Sequence, residues 1–124
     1  MKSVLSRQEY NKKVNLSEKV IHTAVIAHWR AFGVPGSLVA TIPNMRAHGQ
    51  AGLTPGLSDL IVIAPKLPIG FIELKRTAGN LTEAQEMFGA LCDMYGIPWE
   101  VTYGRDEPIA LLEKWGAVKR GVRQ

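Results

Sequence analysis

Cysteine is almost absent from this sequence of 124 residues, in which Cys92 is the only one. A single thiol excludes an intramolecular disulfide framework, and there is no second cysteine with which to build a thiolate zinc site. Cys92 falls on the apolar face of a predicted helix. We therefore expect it to be a small, buried core residue.

Long apolar runs are also missing. Polar or turn residues interrupt each apolar stretch well before the roughly 20 residues that span a bilayer, and the start Met1–Arg7 lacks an apolar signal core. We expect a cytoplasmic protein, in the host cytoplasm if the chain is viral. With 46% hydrophobic and 21% charged residues, residues 1–124 should form a single domain, with its core at about 15–103.

The net charge is only +4, but the charges are unevenly distributed. Residues 1–30 hold six Lys or Arg and two acids, residues 113–124 hold four and one, and the stretch between holds five and eight. Basic arms at both ends of an acidic middle suit a polyanion held by peripheral cations. Charged ends are also commonly just solvated, so the pattern alone does not establish nucleic-acid binding.

Apolar periodicity predicts the element order αβββαβα. The predicted elements are a helix from 15 to 32, strands at 37–42, 60–64 and 70–75, a helix from 82 to 95, a strand at 99–103 and a last helix from about 106 to 115. The short turn at 66–68 favours antiparallel neighbours. Trp29, Trp99 and Trp115 each fit an apolar pattern, so we expect them to pack in the protein and not to stack on bases.

The strand Ile72-Glu73-Leu74-Lys75 combines two kinds of side chain. Because side chains alternate between the faces of a strand, Glu73 and Lys75 should share one face and the two apolar residues the other. A solvated charge pair is one interpretation. However, Asp59 opens the neighbouring strand, and two carboxylates placed close together need a reason such as a divalent cation.

At these residues the chain resembles the PD-(D/E)XK nucleases, and most closely the VRR-Nuc family. The family pattern G-x-x-D, E-x-K and Q is carried by Gly56 and Asp59, Glu73 and Lys75, and Gln85, with further similarity at Ser17-Glu18 and Pro43-Asn44. The resemblance implies an α/β, restriction-endonuclease-like core of αβββαβ order with an extra C-terminal helix around a small mixed sheet. Ser58 stands where the family name implies proline, which shapes the backbone and supplies no catalytic group.

The resemblance also implies roles for individual residues. Asp59 and Glu73 would bind Mg²⁺ or Mn²⁺ together with the backbone carbonyl of Leu74. Lys75 would position the attacking water, Glu18 would face the same cleft, and Gln85 would orient a ligand or water.

Glu18 and Gln85 each have a second interpretation. Both stand three residues after a residue that can cap a helix, Asn15 and Thr82 respectively, so each could complete a capping box instead of serving a site.

Residues outside this group are candidates for contacting DNA. Asn44 ends the strand at 37–42, Arg46 belongs to the glycine-bearing loop before Asp59, and Arg76 follows Lys75. Asn44, which follows a proline, could equally be a turn residue.

The function implied is that of a metal-dependent endonuclease that hydrolyses DNA and selects branched structures such as Holliday junctions or flaps. The alternatives are an inactive nucleic-acid-binding module of the same fold and a restriction-type duplex endonuclease. One site per chain cuts one strand, so we expect a homodimer, with the basic arms 1–13 and 114–124 duplicated around one DNA.

Overall fold

The computed structural model describes residues 16–43 and 54–121 of the chain, which form three helices and four strands. The elements are α1 (Glu18–Phe32), β1 (Leu38–Thr41), β2 (Leu60–Ala64), β3 (Leu67–Lys75), α2 (Glu83–Met94), β4 (Trp99–Tyr103) and α3 (Asp106–Lys114). The predicted order αβββαβα is confirmed. None of these helices is long and apolar enough to cross a membrane.

The strands form one mixed sheet in the order β1-β2-β3-β4. β1 and β2 are antiparallel, β2 and β3 are antiparallel, and β3 and β4 are parallel. The predicted antiparallel hairpin is therefore confirmed, although its turn is at Pro65-Lys66 and β3 is longer than expected. Pro68 is tolerated in β3 because the pairing with β4 begins only at Phe71.

Helices cover the sheet on both faces. Ile72 and Leu74 of β3 belong to the main core, together with Ile21 and Val25 of α1 and Leu112 of α3. On the opposite face, α2 packs over the neighbouring residues of the sheet. Phe88 meets Phe71 edge-to-face at 5.1 Å between ring centroids, and a Cβ on Gly89 would lie 2.6 Å from Trp99. The three layers thus leave β3 buried on both sides.

The hydrophobic core includes residues beyond 103. Ala117 and Val118 are buried in it, and Trp29 and Trp115 pack against it. Backbone hydrogen bonds to the end of α1 hold the segment, with Val34 N–H donating to the carbonyl of Ala117. Part of the basic C-terminal arm expected from Lys114 thus packs on the domain, because Ala117 and Val118, an apolar pair too short to show periodicity, anchor residues 115–118.

Cys92 is buried on α2, as expected from the sequence. Burial raises the pKa of its thiol, which keeps it protonated and unreactive near neutral pH.

Candidate active site

The polar face of β3 is buried as thoroughly as its apolar face. Glu73 is 2% exposed and Lys75 6% exposed, and the Lys75 Nζ lies 4.0 Å from Glu73 Oε2. The alternation predicted from the sequence is therefore present, but the interpretation of a solvated charge pair is wrong. Burying a carboxylate and an ammonium costs free energy, so their position calls for a functional explanation.

Asp59 is brought to Glu73 by the register of the hairpin. Leu60 pairs with Ile72, so the residue before Leu60 lies beside the residue after Ile72. The Asp59 carboxylate accepts a hydrogen bond of 2.7 Å from the backbone N–H of Leu74, and its backbone carbonyl accepts one of 2.8 Å from Ile42. Both the backbone and the side chain of Asp59 are thus held in place.

Gln85 caps helix α2, and its side chain also reaches Glu73. Its Oε1 accepts a hydrogen bond of 2.9 Å from the backbone N–H of Thr82, while Thr82 Oγ1 accepts one from the backbone of Gln85 at 3.1 Å. This capping box directs the other end of the amide into the site, where Nε2 donates to Glu73 Oε2 over 3.1 Å. One side chain therefore caps α2 and orients the Glu73 carboxylate.

The electrostatics of Glu73 are unusual. The pKa of its carboxyl is raised from 4.5 to about 9, first by burial and then by hydrogen bonding to Asp59 and repulsion from its charge. Lys75 lowers the pKa, but by less. Among the described residues Glu73 Oε1 has no hydrogen-bond donor, so the contact with Asp59 is favourable only if one of the two carboxyls is protonated.

Glu18 lies at the margin of this group. It is exposed, and its negative charge raises the pKa of Glu73 by the smallest of the contributions. The proposed capping by Asn15 and Glu18 is wrong: α1 begins at Glu18, and Ser17 is the cap, with its Oγ accepting from the backbone N–H of Val20 over 3.2 Å. Glu18 is therefore the first helical residue, where it cannot form the capping box.

A divalent cation fits the donors that meet here. Two carboxylates lie side by side, and one of their oxygens is buried without a donor among residues 16–43 and 54–121. In that same part of the chain no three His, Cys, Asp or Glu side chains group closely enough to hold a metal by themselves. Backbone oxygen, water and substrate oxygens would have to complete the coordination, which is how proteins commonly bind Mg²⁺.

The loop before Asp59 is fitted closely against α2. Gly56 has φ +92°, and a Cβ there would lie 2.4 Å from the backbone oxygen of Ala84. Glycine is therefore required at this position both for its conformation and for the close approach. The contact aligns the Asp59 loop with the helix turn that carries Gln85.

Ser58 and Trp99 make a contact that sequence reasoning missed. Ser58 is fully buried, and its Oγ accepts a hydrogen bond of 2.9 Å from Trp99 Nε1. The departure from proline at Ser58 thus provides a side-chain link between the Asp59 loop and β4. Only the fold brings residues 58 and 99 together, so no local pattern could have indicated the pair.

The candidate DNA-contacting residues are only partly described. Asn44 and Arg46 lie outside the described residues. Arg76 is exposed directly after β3, next to the site.

Gly79 packs against the stem of Lys75, since a Cβ there would lie 3.3 Å from the Cβ and Cδ of Lys75.

Comparisons with known proteins agree with this arrangement at the level of the fold. No family model matches the sequence, and no curated protein matches it. A solved structure described as a VRR_NUC domain is similar with a TM-score of 0.58 and 21% sequence identity, over 79% of this chain and 96% of that one. The chain therefore has the fold of a VRR_NUC domain, as its sequence motifs indicated.

Proposed function

We propose that the protein is a metal-dependent endonuclease that hydrolyses DNA phosphodiester bonds. The observation that carries this proposal is the buried Glu73 carboxylate, which lies against Asp59 with one oxygen lacking a donor among the described residues. A carboxylate pair of this kind is unfavourable in the absence of a cation and favourable with one. The VRR_NUC fold supports the same conclusion.

Asp59 and Glu73 would hold Mg²⁺ or Mn²⁺, with the backbone carbonyl of Leu74 as a further ligand. The bound cation would supply Lewis-acid stabilisation of the charge that develops on the phosphate and the leaving oxygen. Leu74 N–H and Gln85 Nε2 orient the two carboxylates, and such outer contacts fix the geometry of ligands.

Lys75 would act on the substrate side of the pair. Its ammonium group, 4.0 Å from Glu73, can donate hydrogen bonds to the attacking water and to a phosphate oxygen, but it cannot be a metal ligand. In this role it positions the water for attack on phosphorus and offsets the negative charge of the transition state.

We propose branched DNA, such as a Holliday junction or a flap, as the substrate, and a homodimer as the working form. One site cuts one strand, and two symmetric cuts need two sites. Arg76 beside the site, together with Asn44 and Arg46, would contact the DNA backbone.

Cleavage of labelled linear, flap and four-way-junction DNA, with and without Mg²⁺ or Mn²⁺, tests the proposal. We expect cleavage that needs the cation, is fastest on branched DNA, and disappears in Asp59→Asn. Glu100→Gln, which alters an exposed carboxylate of β4, is the matched control and should remain active. Cleavage that persists in Asp59→Asn would contradict the site, and binding without cleavage would favour the inactive binding module.

A further inference from the structure

The last residue of β4, Tyr103, lies beside Lys75 at the edge of the candidate site. β3 and β4 are parallel, and Lys75 pairs with Tyr103 in their register. Paired residues of neighbouring strands point to the same side of the sheet, on backbones about 4.8 Å apart. The Tyr103 side chain therefore projects from the face that carries Glu73 and Lys75. Trp99, four residues earlier on β4, points the same way and meets Gly89 of α2.

Tyr103 differs from the other aromatic residues on this face of the sheet in its exposure. Phe71 packs edge-to-face against Phe88, and Trp99 donates a hydrogen bond to Ser58. Tyr103, in contrast, is 38% exposed. Its ring is the part of this aromatic row that a bound molecule can reach.

The position of α2 explains why the ring is uncovered. Gln85, in the first turn of α2, reaches Glu73, and Glu73 pairs with Val101. Lys75 and Tyr103 form the next pair on this face, beyond the N-terminal end of the helix. A molecule that enters the site at Lys75 therefore meets the ring of Tyr103 and not the helix.

Two hydrogen bonds fix the backbone that carries the ring. The backbone N–H of Tyr103 donates to Glu107 Oε1 over 3.0 Å, and that of Gly104 donates to the carbonyl of Lys75 over 2.8 Å. A tyrosine side chain has only two rotatable bonds, so ordering it against a ligand costs little conformational entropy. The end of β4 thus presents a firmly held aromatic surface beside the proposed water-positioning group.

The ligand that suits this surface is a nucleobase. A phosphate held at Lys75 carries a nucleoside on each side, and the ring lies one strand spacing away. Exposed aromatic rings bind bases by stacking, whatever the base. In a continuous duplex the neighbouring bases already cover each base face, so the ring can stack only on an unpaired base that has lost its neighbour.

We propose that Tyr103 stacks on an unpaired base next to the scissile phosphate and thereby selects branched DNA over continuous duplex. The inference rests on the proposed nuclease function and assigns its preference for branched DNA to one side chain. Because the stack is present both in the bound substrate and in the transition state, it lowers KM more than it raises kcat.

Fluorescence of the base analogue 2-aminopurine measures stacking without cleavage. The analogue replaces the first unpaired base of a flap, and protein is added without divalent cation until binding saturates. Emission should fall with wild type and with Tyr103→Phe, because a stacked ring quenches the base, and should stay higher with Tyr103→Leu. The same analogue inside the duplex arm should change little. No fall with wild type, or an equal fall with Tyr103→Leu, would overturn the proposal.

Steady-state cleavage of flap and continuous duplex DNA in Mg²⁺ tests the selection. Tyr103→Leu should lower kcat/KM on the flap about 10- to 100-fold, mainly through KM, and on the duplex much less. Tyr95→Leu removes a ring that is 69% exposed at the C-terminal end of α2 and should keep the flap preference. An unchanged preference in a Tyr103→Leu protein that melts as wild type does, or an equal loss in Tyr95→Leu, would contradict the assignment.

The two assays separate the failure of this inference from the failure of the proposed function. Wild type that cleaves flap DNA without quenching 2-aminopurine would refute the stacking and leave the nuclease intact. Quenching that depends on Tyr103, in a protein that cleaves no DNA, would refute the nuclease and leave the stacking site. The wild-type fluorescence needs no variant, so it decides the question even if Tyr103→Leu fails to fold.

Discussion

The two faces of β3 are buried to the same extent but contain opposite chemistry. On one face Ile72 and Leu74, 0% and 1% exposed, belong to the main core, where burial of apolar surface stabilises the fold. On the other, Glu73 and Lys75 are 2% and 6% exposed, and burial of their charges opposes folding. One strand thus supplies stability with its even-numbered residues and a candidate reactive group with its odd-numbered ones.

Contacts with neighbouring elements hold the charged face of β3 in its buried position. Gln85 donates to Glu73 from the first turn of α2, and Gly56 lets the Asp59 loop pass close to Ala84. These contacts hold two carboxylates together against their repulsion. Functional sites differ from cores in this respect: they contain locally unfavourable contacts, here two repelling carboxylates, that the surrounding structure offsets.

The largest effect on cleavage should come from removing either carboxylate of the polar face. We expect Asp59→Ala and Glu73→Ala to lower cleavage at least roughly 1,000-fold, because each would remove a metal ligand. Glu73→Gln should be equally inactive but at least as stable as wild type at pH 8 without metal, since it keeps the shape of the side chain and needs no proton uptake on folding. Cleavage rates and melting temperatures check both parts, and a destabilised, active Glu73→Gln would contradict them.

Lys75→Met tests the ammonium group while preserving the stem that packs against Gly79. Cleavage should fall about 100- to 1,000-fold, because the group that positions the water is lost. Calorimetric titration with Mn²⁺ should show affinity retained or increased, since a cation beside the metal site has been removed. Loss of metal binding in this variant would contradict the assigned role.

Ile72→Ala probes the apolar face at the position next to Glu73. It should lower the free energy of unfolding by about 2–5 kcal/mol, the usual cost of a cavity in a core. Cleavage measured well below the melting temperature should change little. Denaturant unfolding gives the first quantity, and a loss of cleavage as large as that of Asp59→Ala in folded protein would show that the two faces are not separable.

Two variants separate the helix-capping role of Gln85 from its hydrogen bond to Glu73. Gln85→Ala and Thr82→Ala both weaken the capping box, so each should cost about 1 kcal/mol of stability. Only Gln85→Ala removes the hydrogen bond to Glu73, and it should lower cleavage about 10- to 100-fold. Equal activity of the two variants in a cleavage assay would reduce Gln85 to a helix cap.

The raised pKa of Glu73 predicts the direction of a pH effect on stability. Its folded pKa of about 9 lies above the usual 4.5, so between these values the folded state binds more protons than the unfolded state. In the metal-free protein, the contribution of Glu73 to stability should therefore be greatest below about pH 4.5. It should be lost as pH rises towards 9. The melting temperature should fall by a few degrees over this range.

Glu73→Gln and bound Mn²⁺ should each flatten this dependence, because the first removes the titrating carboxyl and the second stabilises its charged form. An equally steep dependence in Glu73→Gln would assign the effect to another group.

Sequence alone determined the elements of this protein, because their signals are local. Periodicity and turn residues predict a helix over 15–32, observed at 18–32, and a strand at 99–103, and the capping box at Thr82 marks the start of α2. The motif residues Asp59, Glu73 and Lys75 could likewise be selected from their spacing and from a family resemblance. Strand alternation then put Glu73 and Lys75 on one face.

Only the tertiary structure decided the environment of those residues. A charge pair in a strand is solvated or buried according to what packs over it, and here the next helix along the chain, α2, covers this face. The same packing gives Gln85 its second hydrogen bond, joins Ser58 to Trp99, and brings Ala117 and Val118 into the core. Burial and long-range contact depend on how distant elements meet, and no local pattern in the sequence encodes that.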